Sequence, residues 1–207
     1  MEKYSISLFL MEQAKQCLDL AIIARKESNI DEEVRLGINL HLLLGVTLEG
    51  VINEIGEQLL DKWTWTELEK ASTPLKWRII SGMKKVFEPS KEPLQTIIKL
   101  QKIRNKIAHP KPENMDGKVI MKSNDGKIKR NVKGEDKLPE DGCTFFLGIG
   151  KLLDEFNVNK SLSHYIKALK AIIEIKELFK IEYRLDWSDS MYKAVASVEI
   201  NKFEECH

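Results

Sequence analysis

Apolar residues recur every three or four positions along most of the chain, the spacing that places them on one face of an α-helix. This pattern predicts long helices over about residues 5–27, 32–60, 94–108 and 159–180. Shorter helical turns are predicted near the segment TELEK and over the segment LKWRII.

Polar residues and prolines indicate where these helices begin and end. Asp31 is a candidate N-cap for the second long helix, and Thr64 or Thr66 is a candidate for the first short one. Pro74 suits the first turn of the second short helix. Pro110 ends the third long helix, because the residue before a proline disfavours the helical region.

The segment at about residues 111–150 differs from the rest, because glycine and proline are frequent there. Within it, KVIMKSNDGKIKRN predicts a β-hairpin that turns at Asn124-Asp125-Gly126. We therefore expect a mainly all-α chain that forms one domain over residues 1–207. Its fold would be an antiparallel helical bundle with a basic β-hairpin inserted before the last long helix.

Composition limits the location and the ligands. The three cysteines lie far apart and form no CxxC pair, so we expect neither a zinc site nor a disulfide framework, and no other metal or cofactor. The start of the chain lacks the features of a signal peptide. The longest apolar run, at residues 36–48, is too short to span a bilayer. These features predict a soluble cytoplasmic protein without membrane association.

The third long helix ends in the residues with the clearest chemical interpretation, Arg104-Asn105-Lys106-Ile107-Ala108-His109. On a helical wheel Arg104 falls on the apolar face, where a guanidinium must be paired or must face a groove or an interface. Lys99, Lys102 and Lys106 share the opposite face, as expected for a solvated side.

This hexapeptide resembles the Arg-x(4–6)-His motif of the HEPN superfamily, in which the residue after the arginine is often polar, as Asn105 is here. HEPN domains are helical bundles. Many are metal-independent endoribonucleases of toxin–antitoxin, abortive-infection and CRISPR systems, and others are not catalytic. The resemblance implies a homodimer in which Arg104 and His109 of both subunits line one composite cleft. It also implies a toxin or antiphage-defence role with an antitoxin or defence-system partner.

The three residue types suit the cleavage of RNA, which carries its own nucleophile in the 2′-hydroxyl. His109 can accept or donate a proton near neutral pH, and Arg104 can hold the phosphate and stabilise the transition state. Asn105 can hydrogen-bond the phosphate or orient the histidine. The products would carry a 2′,3′-cyclic phosphate and a 5′-hydroxyl.

A second Arg–His match, Arg35 with His41, lies inside one predicted helix. His41 follows Arg35 by about 240° around the wheel, a separation of about 120°, so the two side chains point in different directions. It also has Leu36 at the position that Asn105 takes in the first motif. If an asparagine is required after the arginine, the expected number of chance matches to the Arg-x(4–6)-His motif in a chain of this composition falls to about 0.02.

Charge is unevenly distributed, although the chain has 33 basic and 32 acidic residues. Residues 99–133 hold eleven basic and three acidic residues, so this window carries +8 and the remainder −7. Such a basic region suits contact with an RNA backbone, although base stacking would need Trp63 or Trp65 from elsewhere. The alternative is that the hairpin lysines only block its edges. The candidate RNA-binding residues are Lys102, Lys106, Lys111, Lys127, Lys129 and Arg130.

Two other functions stay open. A non-catalytic HEPN-like module would bind RNA, nucleotides or a protein partner. A purely structural dimerisation bundle would bury Arg104 in an ion pair, for which Glu49 is a possible partner, and His109 would cap the helix. HEPN toxins paired with a nucleotidyltransferase antitoxin have a tyrosine two residues past the histidine, where this chain has Lys111. The resemblance therefore does not carry over regulation through that tyrosine.

Overall fold

The computed structural model describes residues 6–109, 121–122, 128–129 and 154–181, and this part of the chain is mainly all-α. The four long predicted helices are confirmed to within two residues at each end. A short 3₁₀ turn, Asp154–Phe156, precedes the last helix. The helices are α1 (Ile6–Lys26), α2 (Ile30–Leu59), α3 (Lys62–Glu69), α4 (Thr73–Gly82), α5 (Leu94–Ala108) and α6 (Val158–Phe179).

The central element is α2, which packs against α1, α4, α5 and α6. Leu40, Leu44, Leu48 and Ile52 recur every four residues along it, and all four side chains are fully buried. Each such side chain stabilises the fold by roughly 1.5–3 kcal/mol relative to an exposed one. Trp77 of α4 is also fully buried, and its indole N–H donates to the carbonyl of Leu48 at 2.9 Å. The core thus forms around one face of α2.

The N-terminus of α2 differs from the prediction in its capping residue. Asn29 is the cap, and its side-chain oxygen accepts the backbone N–H of Glu32 at 3.3 Å. Asp31 lies inside the first turn instead, where its charge faces the positive end of the helix dipole. The prediction of Asp31 as the cap was wrong, because Asn29 and Asp31 stand close together and both are residue types that cap helices well.

The first short helix, α3, shows a similar shift. Asp61 is its cap and accepts the backbone N–H groups of Trp63 and Thr64 at 3.0 and 3.1 Å. Thr64 and Thr66, the predicted caps, lie within the helix. The helix begins earlier than predicted because the carboxylate of Asp61 can satisfy two first-turn N–H groups together. The start of α4 agrees with the prediction, with Pro74 in its first turn.

The last helix is fixed against α2 by close backbone contacts. Glu33 of α2 is 2% exposed, and its carboxylate accepts the backbone N–H of Val158 at 2.9 Å and Nη1–H of Arg25 at 3.2 Å. A Cβ built at Gly37 would lie 2.2 Å from the carbonyl oxygen of Phe156. Only glycine therefore permits the 3₁₀ turn to approach α2 this closely.

Between α5 and α6 the structure describes two strands of two residues each, β1 (Met121–Lys122) and β2 (Ile128–Lys129). They pair antiparallel, with Met121 opposite Lys129 and Lys122 opposite Ile128. This short ladder does not establish the predicted inserted hairpin, whose turn at residues 124–126 lies outside the described residues.

The length and composition of α2 also match those of a membrane-spanning helix. Its mean hydropathy reaches 1.4, and 56% of the 18-residue window that meets the criteria is buried inside the protein. The apolar run at residues 36–48 is part of this longer helix. The buried core helix of a soluble protein has the same properties, so this feature is only weak support for a membrane segment.

Candidate active site

The motif covers the last five residues of α5, which ends at Ala108 as predicted, and the residue that follows it. His109 leaves the helical region, with φ −130° and ψ 67°. Its backbone N–H still donates to the carbonyl of Asn105 at 2.9 Å. Its side chain is exposed. The imidazole is therefore accessible to solvent at the C-terminal end of the helix.

Arg104 is positioned by direct contact with the backbone of α2. A Cβ built at Gly45 would lie 2.7 Å from Cβ and 2.9 Å from Cγ of Arg104. Because non-bonded carbon atoms are most stable at about 3.5–4.0 Å, only glycine allows α5 to approach α2 so closely here. Gln101 strengthens the same contact, since its Nε2–H donates to the carbonyl of Gly45 at 2.7 Å.

The guanidinium of Arg104 has two partners. Its Nη1–H donates to Oδ1 of Asn105 at 2.9 Å, and its Nη2 lies 3.6 Å from Oε2 of Glu49 on α2. The side chains of Arg104 and Glu49 are 30% and 33% exposed. The structure therefore brings Arg104, Asn105 and Glu49 together where a solvent-borne ligand can reach them.

The alternative of a purely structural dimerisation bundle agrees with the structure in one respect and disagrees with it in another. The ion pair with Glu49 that it requires is present. It also requires Arg104 to lie deep in the subunit, whereas nearly a third of that side chain is exposed. His109 is likewise exposed at the end of α5.

The lysines predicted to share the solvated face of α5 are exposed, as expected: Lys99, Lys102 and Lys106. Lys99 forms an ion pair, with its Nζ 2.8 Å from Oε2 of Glu155. Of the other predicted RNA-binding residues, Lys129 belongs to β2, but nothing is described of its side chain. The remaining three, Lys111, Lys127 and Arg130, lie outside the described residues.

A buried cation that the sequence does not mark out also contacts α2. Lys76 of α4 is 2% exposed, and its Nζ donates to Oδ1 of Asn53 at 2.9 Å. Asn53 follows Glu49 by one helical turn, about 6 Å along the axis. Lys76 is therefore held against α2 by Asn53 and is not exposed to a ligand. In the sequence it is one lysine among many.

The two tryptophans considered for base stacking differ in exposure. Trp63 is 85% exposed, so its ring is accessible to a ligand. Trp65 is partly buried, and a Cβ built at Gly56 would lie 2.3 Å from its ring. The ring of Trp65 also lies 5.8 Å from Nζ of Lys76. Trp65 therefore packs α3 onto α2, and only Trp63 is available for stacking.

The second Arg–His match has a different structural role. Arg35 is exposed and its Nε–H donates to Glu32 at 2.8 Å, whereas His41 is fully buried. Nδ1 of His41 lies 2.7 Å from the carbonyl oxygen of Gly37, and its Nε2 lies 2.8 Å from Nδ1 of His164. A carbonyl only accepts, so neutral His41 carries its proton on Nδ1 and accepts from His164. His41 is therefore a core histidine with satisfied hydrogen bonds.

Burial lowers the pKa of both histidines in this pair. The pKa of His164 falls to about 3, because burial disfavours its charged form and His41 and Lys99 lie nearby. Burial likewise lowers the pKa of His41. Both rings are therefore neutral at physiological pH, and neither lies where an external substrate could reach it.

Among the described side chains, no group of three or more His, Cys, Asp or Glu residues is arranged to hold a metal ion. Comparison with protein-family models, curated proteins and solved structures found no match to this chain. The resemblance to HEPN proteins therefore rests on the motif and on the order of the helices.

Proposed function

We propose that this chain is a metal-independent endoribonuclease of HEPN type, cleaving RNA by attack of its 2′-hydroxyl. The observation that supports the proposal most strongly is the setting of Arg104. Its stem is fixed against Gly45, while its guanidinium stays partly exposed beside Asn105. His109, the only titratable imidazole of the motif, is exposed at the end of the same helix.

The proposed roles follow from the chemistry of each group. Arg104 holds the phosphate that is cleaved and stabilises the negative charge of the transition state. His109 transfers a proton, and Asn105 holds the guanidinium through the 2.9 Å hydrogen bond and can also contact the phosphate. Lys102 and Lys106, exposed on the same helix, contact the RNA backbone. No residue in this set requires a metal or cofactor.

The wider setting is part of the same proposal. The chain would be a cytoplasmic homodimer with both motifs in one cleft, acting as a toxin or in antiphage defence with an antitoxin or defence-system partner. It would form a single antiparallel helical bundle with an inserted basic hairpin, whose Lys111, Lys127, Lys129 and Arg130 add to RNA binding. The packing of four helices on α2 supports the bundle.

A second candidate function is a non-catalytic RNA-, nucleotide- or protein-binding module. The ion pair between Arg104 and Glu49 favours it, because the carboxylate offsets part of the charge that a transition state would need. Such a module would bind RNA without cleaving it.

The experiment is an RNA-cleavage assay in EDTA with wild type, Arg104→Ala and Arg35→Ala. Arg35 is a matched control, because it also pairs with a glutamate of α2 but belongs to the second Arg–His match. We expect the Arg104 variant to lose at least about a hundredfold in rate, while Arg35→Ala cleaves like wild type. Binding of intact RNA by all three proteins would favour the second candidate. Equal cleavage by both variants would contradict the proposed site.

A further inference from the structure

Glu49 lies beside the arginine that would hold the phosphate. Its Oε2 is 3.6 Å from Nη2 of Arg104, and 33% of its side chain is exposed. It projects from α2, whereas Arg104 belongs to α5 and His109 directly follows the last residue of that helix. Three chemically different groups therefore come from α2, from α5 and from the residue that follows α5: a carboxylate, a guanidinium and an imidazole.

Cleavage of RNA through its 2′-hydroxyl needs two proton transfers. One group must take the proton of the 2′-hydroxyl, and another must donate a proton to the departing 5′-oxygen. Arg104 cannot exchange protons at working pH, and the amide of Asn105 does not titrate. Within one subunit the motif thus supplies a single proton-transfer group, His109.

The contact between Glu49 and Arg104 is looser than an anchoring hydrogen bond. Their 3.6 Å separation exceeds the 2.7–3.2 Å that is typical of N–H···O hydrogen bonds. Arg104 is already held by the contact of its stem with Gly45 and by the 2.9 Å hydrogen bond to Asn105. The carboxylate is therefore not needed to fix the guanidinium, and its exposed part is accessible to a ligand.

We propose that Glu49 is the general base of this site and that His109 is its general acid. This inference rests on the proposed ribonuclease function. With Glu49 included, one subunit holds a base, an acid and a phosphate-binding cation. A second histidine from a dimer partner is then not needed for proton transfer.

The step balances without any further reactant. The carboxylate of Glu49 takes the proton of the 2′-hydroxyl as the 2′-oxygen forms a bond to phosphorus. The bond between phosphorus and the 5′-oxygen breaks, and that oxygen receives a proton from the imidazolium of His109. The products are a 2′,3′-cyclic phosphate and a 5′-hydroxyl, and the two side chains return to their starting states by proton exchange with water.

The test compares two RNA substrates that differ in one atom. In the second, the 5′-oxygen at the cleaved bond is replaced by sulfur, which departs as a thiolate and needs no general acid. His109→Ala should cleave ordinary RNA about 10²–10⁴-fold more slowly than wild type, and the sulfur substrate should restore most of that loss. Glu49→Gln should be slowed about 10²–10⁴-fold on both substrates.

A pH profile separates a base from a group that only positions Arg104. In Glu49→Gln, hydroxide must remove the proton, so cleavage of the sulfur substrate should rise about tenfold per pH unit, whereas wild type should level off. A Glu49→Gln profile with the shape of the wild-type profile would show that Glu49 only positions Arg104, and would overturn the inference.

The matched control is Glu32→Gln, because Glu32 also lies on α2, also pairs with an arginine and has a similar exposure of 35%. It should cleave both substrates like wild type.

Wild-type rates for Glu49→Gln would overturn the inference and leave the ribonuclease proposal intact, since two histidines of a dimer would then carry out both proton transfers. A faster Glu49→Gln enzyme would also overturn it, because Glu49 would then act as a competitor of the phosphate. Failure of wild type to cleave ordinary RNA would refute the ribonuclease proposal itself.

Discussion

Replacing Gly45 by alanine tests how α2 positions the candidate active site. The added methyl group would lie 2.7 Å from Cβ and 2.9 Å from Cγ of Arg104, about 1 Å closer than carbon atoms normally approach. The neighbours cannot move away freely, because the carbonyl of Gly45 accepts a hydrogen bond from buried Gln101 at 2.7 Å. We therefore expect Gly45→Ala to push α5 from α2 or to turn the side chain of Arg104.

Two effects of opposite sign determine the stability of this variant. Alanine in the interior of a helix is favoured over glycine by about 1 kcal/mol. Overpacking a well-packed contact costs about 1–3 kcal/mol. The net change is a destabilisation of about 0–2 kcal/mol, or a fall in Tm of at most about 8 °C for a chain of this size. Displacement of Arg104 by about 1 Å should lower the cleavage rate about a hundredfold.

Thermal unfolding and RNA cleavage in EDTA measure these two effects, with Gly82→Ala as the control. Gly82 also lies in a helix, but a Cβ built there meets nothing within 4 Å. Its replacement should leave cleavage unchanged and should raise stability by up to about 1 kcal/mol. If Gly45→Ala were stabilised as much as Gly82→Ala and cleaved RNA at the wild-type rate, the close approach of the two helices would be refuted.

Two further predictions concern the core. Burial lowers the pKa of His41, and that of His164 to about 3, so the unfolded chain binds more protons than the folded one below about pH 6.5. The contribution of the neutral histidines to stability is therefore present above about pH 6.5 and is lost on acidification. Urea unfolding should show a loss of about 2 kcal/mol from His164 alone between pH 7.5 and 5. His164→Gln should lack this pH-dependent loss. Equal pH dependence of the two proteins would contradict this. Trp77→Phe removes the buried indole that donates to Leu48 at 2.9 Å, and should lower the free energy of unfolding by about 1–3 kcal/mol. An unchanged urea midpoint would show that this hydrogen bond contributes nothing.

The long helices could be predicted because each repeats its apolar residues over four or more turns. That periodicity depends only on local spacing, so α2 and α6 were located to within two residues. The helix caps were harder, because several polar residues stand side by side at each boundary. Asn29 rather than Asp31 caps α2, although both residue types are good caps.

The sequence predicted the site residues that lie close together in the chain. It did not predict those that helix packing brings to the site. The order of residues places Arg104 and Asn105 in the last turns of one helix and His109 directly after it. Glu49 was only one possible partner for Arg104, because the sequence does not show which face of α2 meets α5. The contact with Gly45 depends on that face as well.

The same limit applies to the buried histidine pair. The partner of buried His41, His164, lies 123 residues away in the chain. Spacing within one helix carries no information on such a contact. The buried position of Lys76 was missed for the same reason, since it depends on how α4 packs against α2.

The most direct test of the central claim is cleavage of RNA in EDTA by wild type and His109→Ala, with analysis of the product ends. His109 is exposed and follows the last residue of α5, so its replacement should leave the stability of the fold unchanged. We predict that wild type leaves 2′,3′-cyclic phosphate and 5′-hydroxyl ends, and that His109→Ala is at least about a hundredfold slower. Intact RNA after incubation with folded wild-type protein, or equal rates for the two proteins, would contradict the proposal.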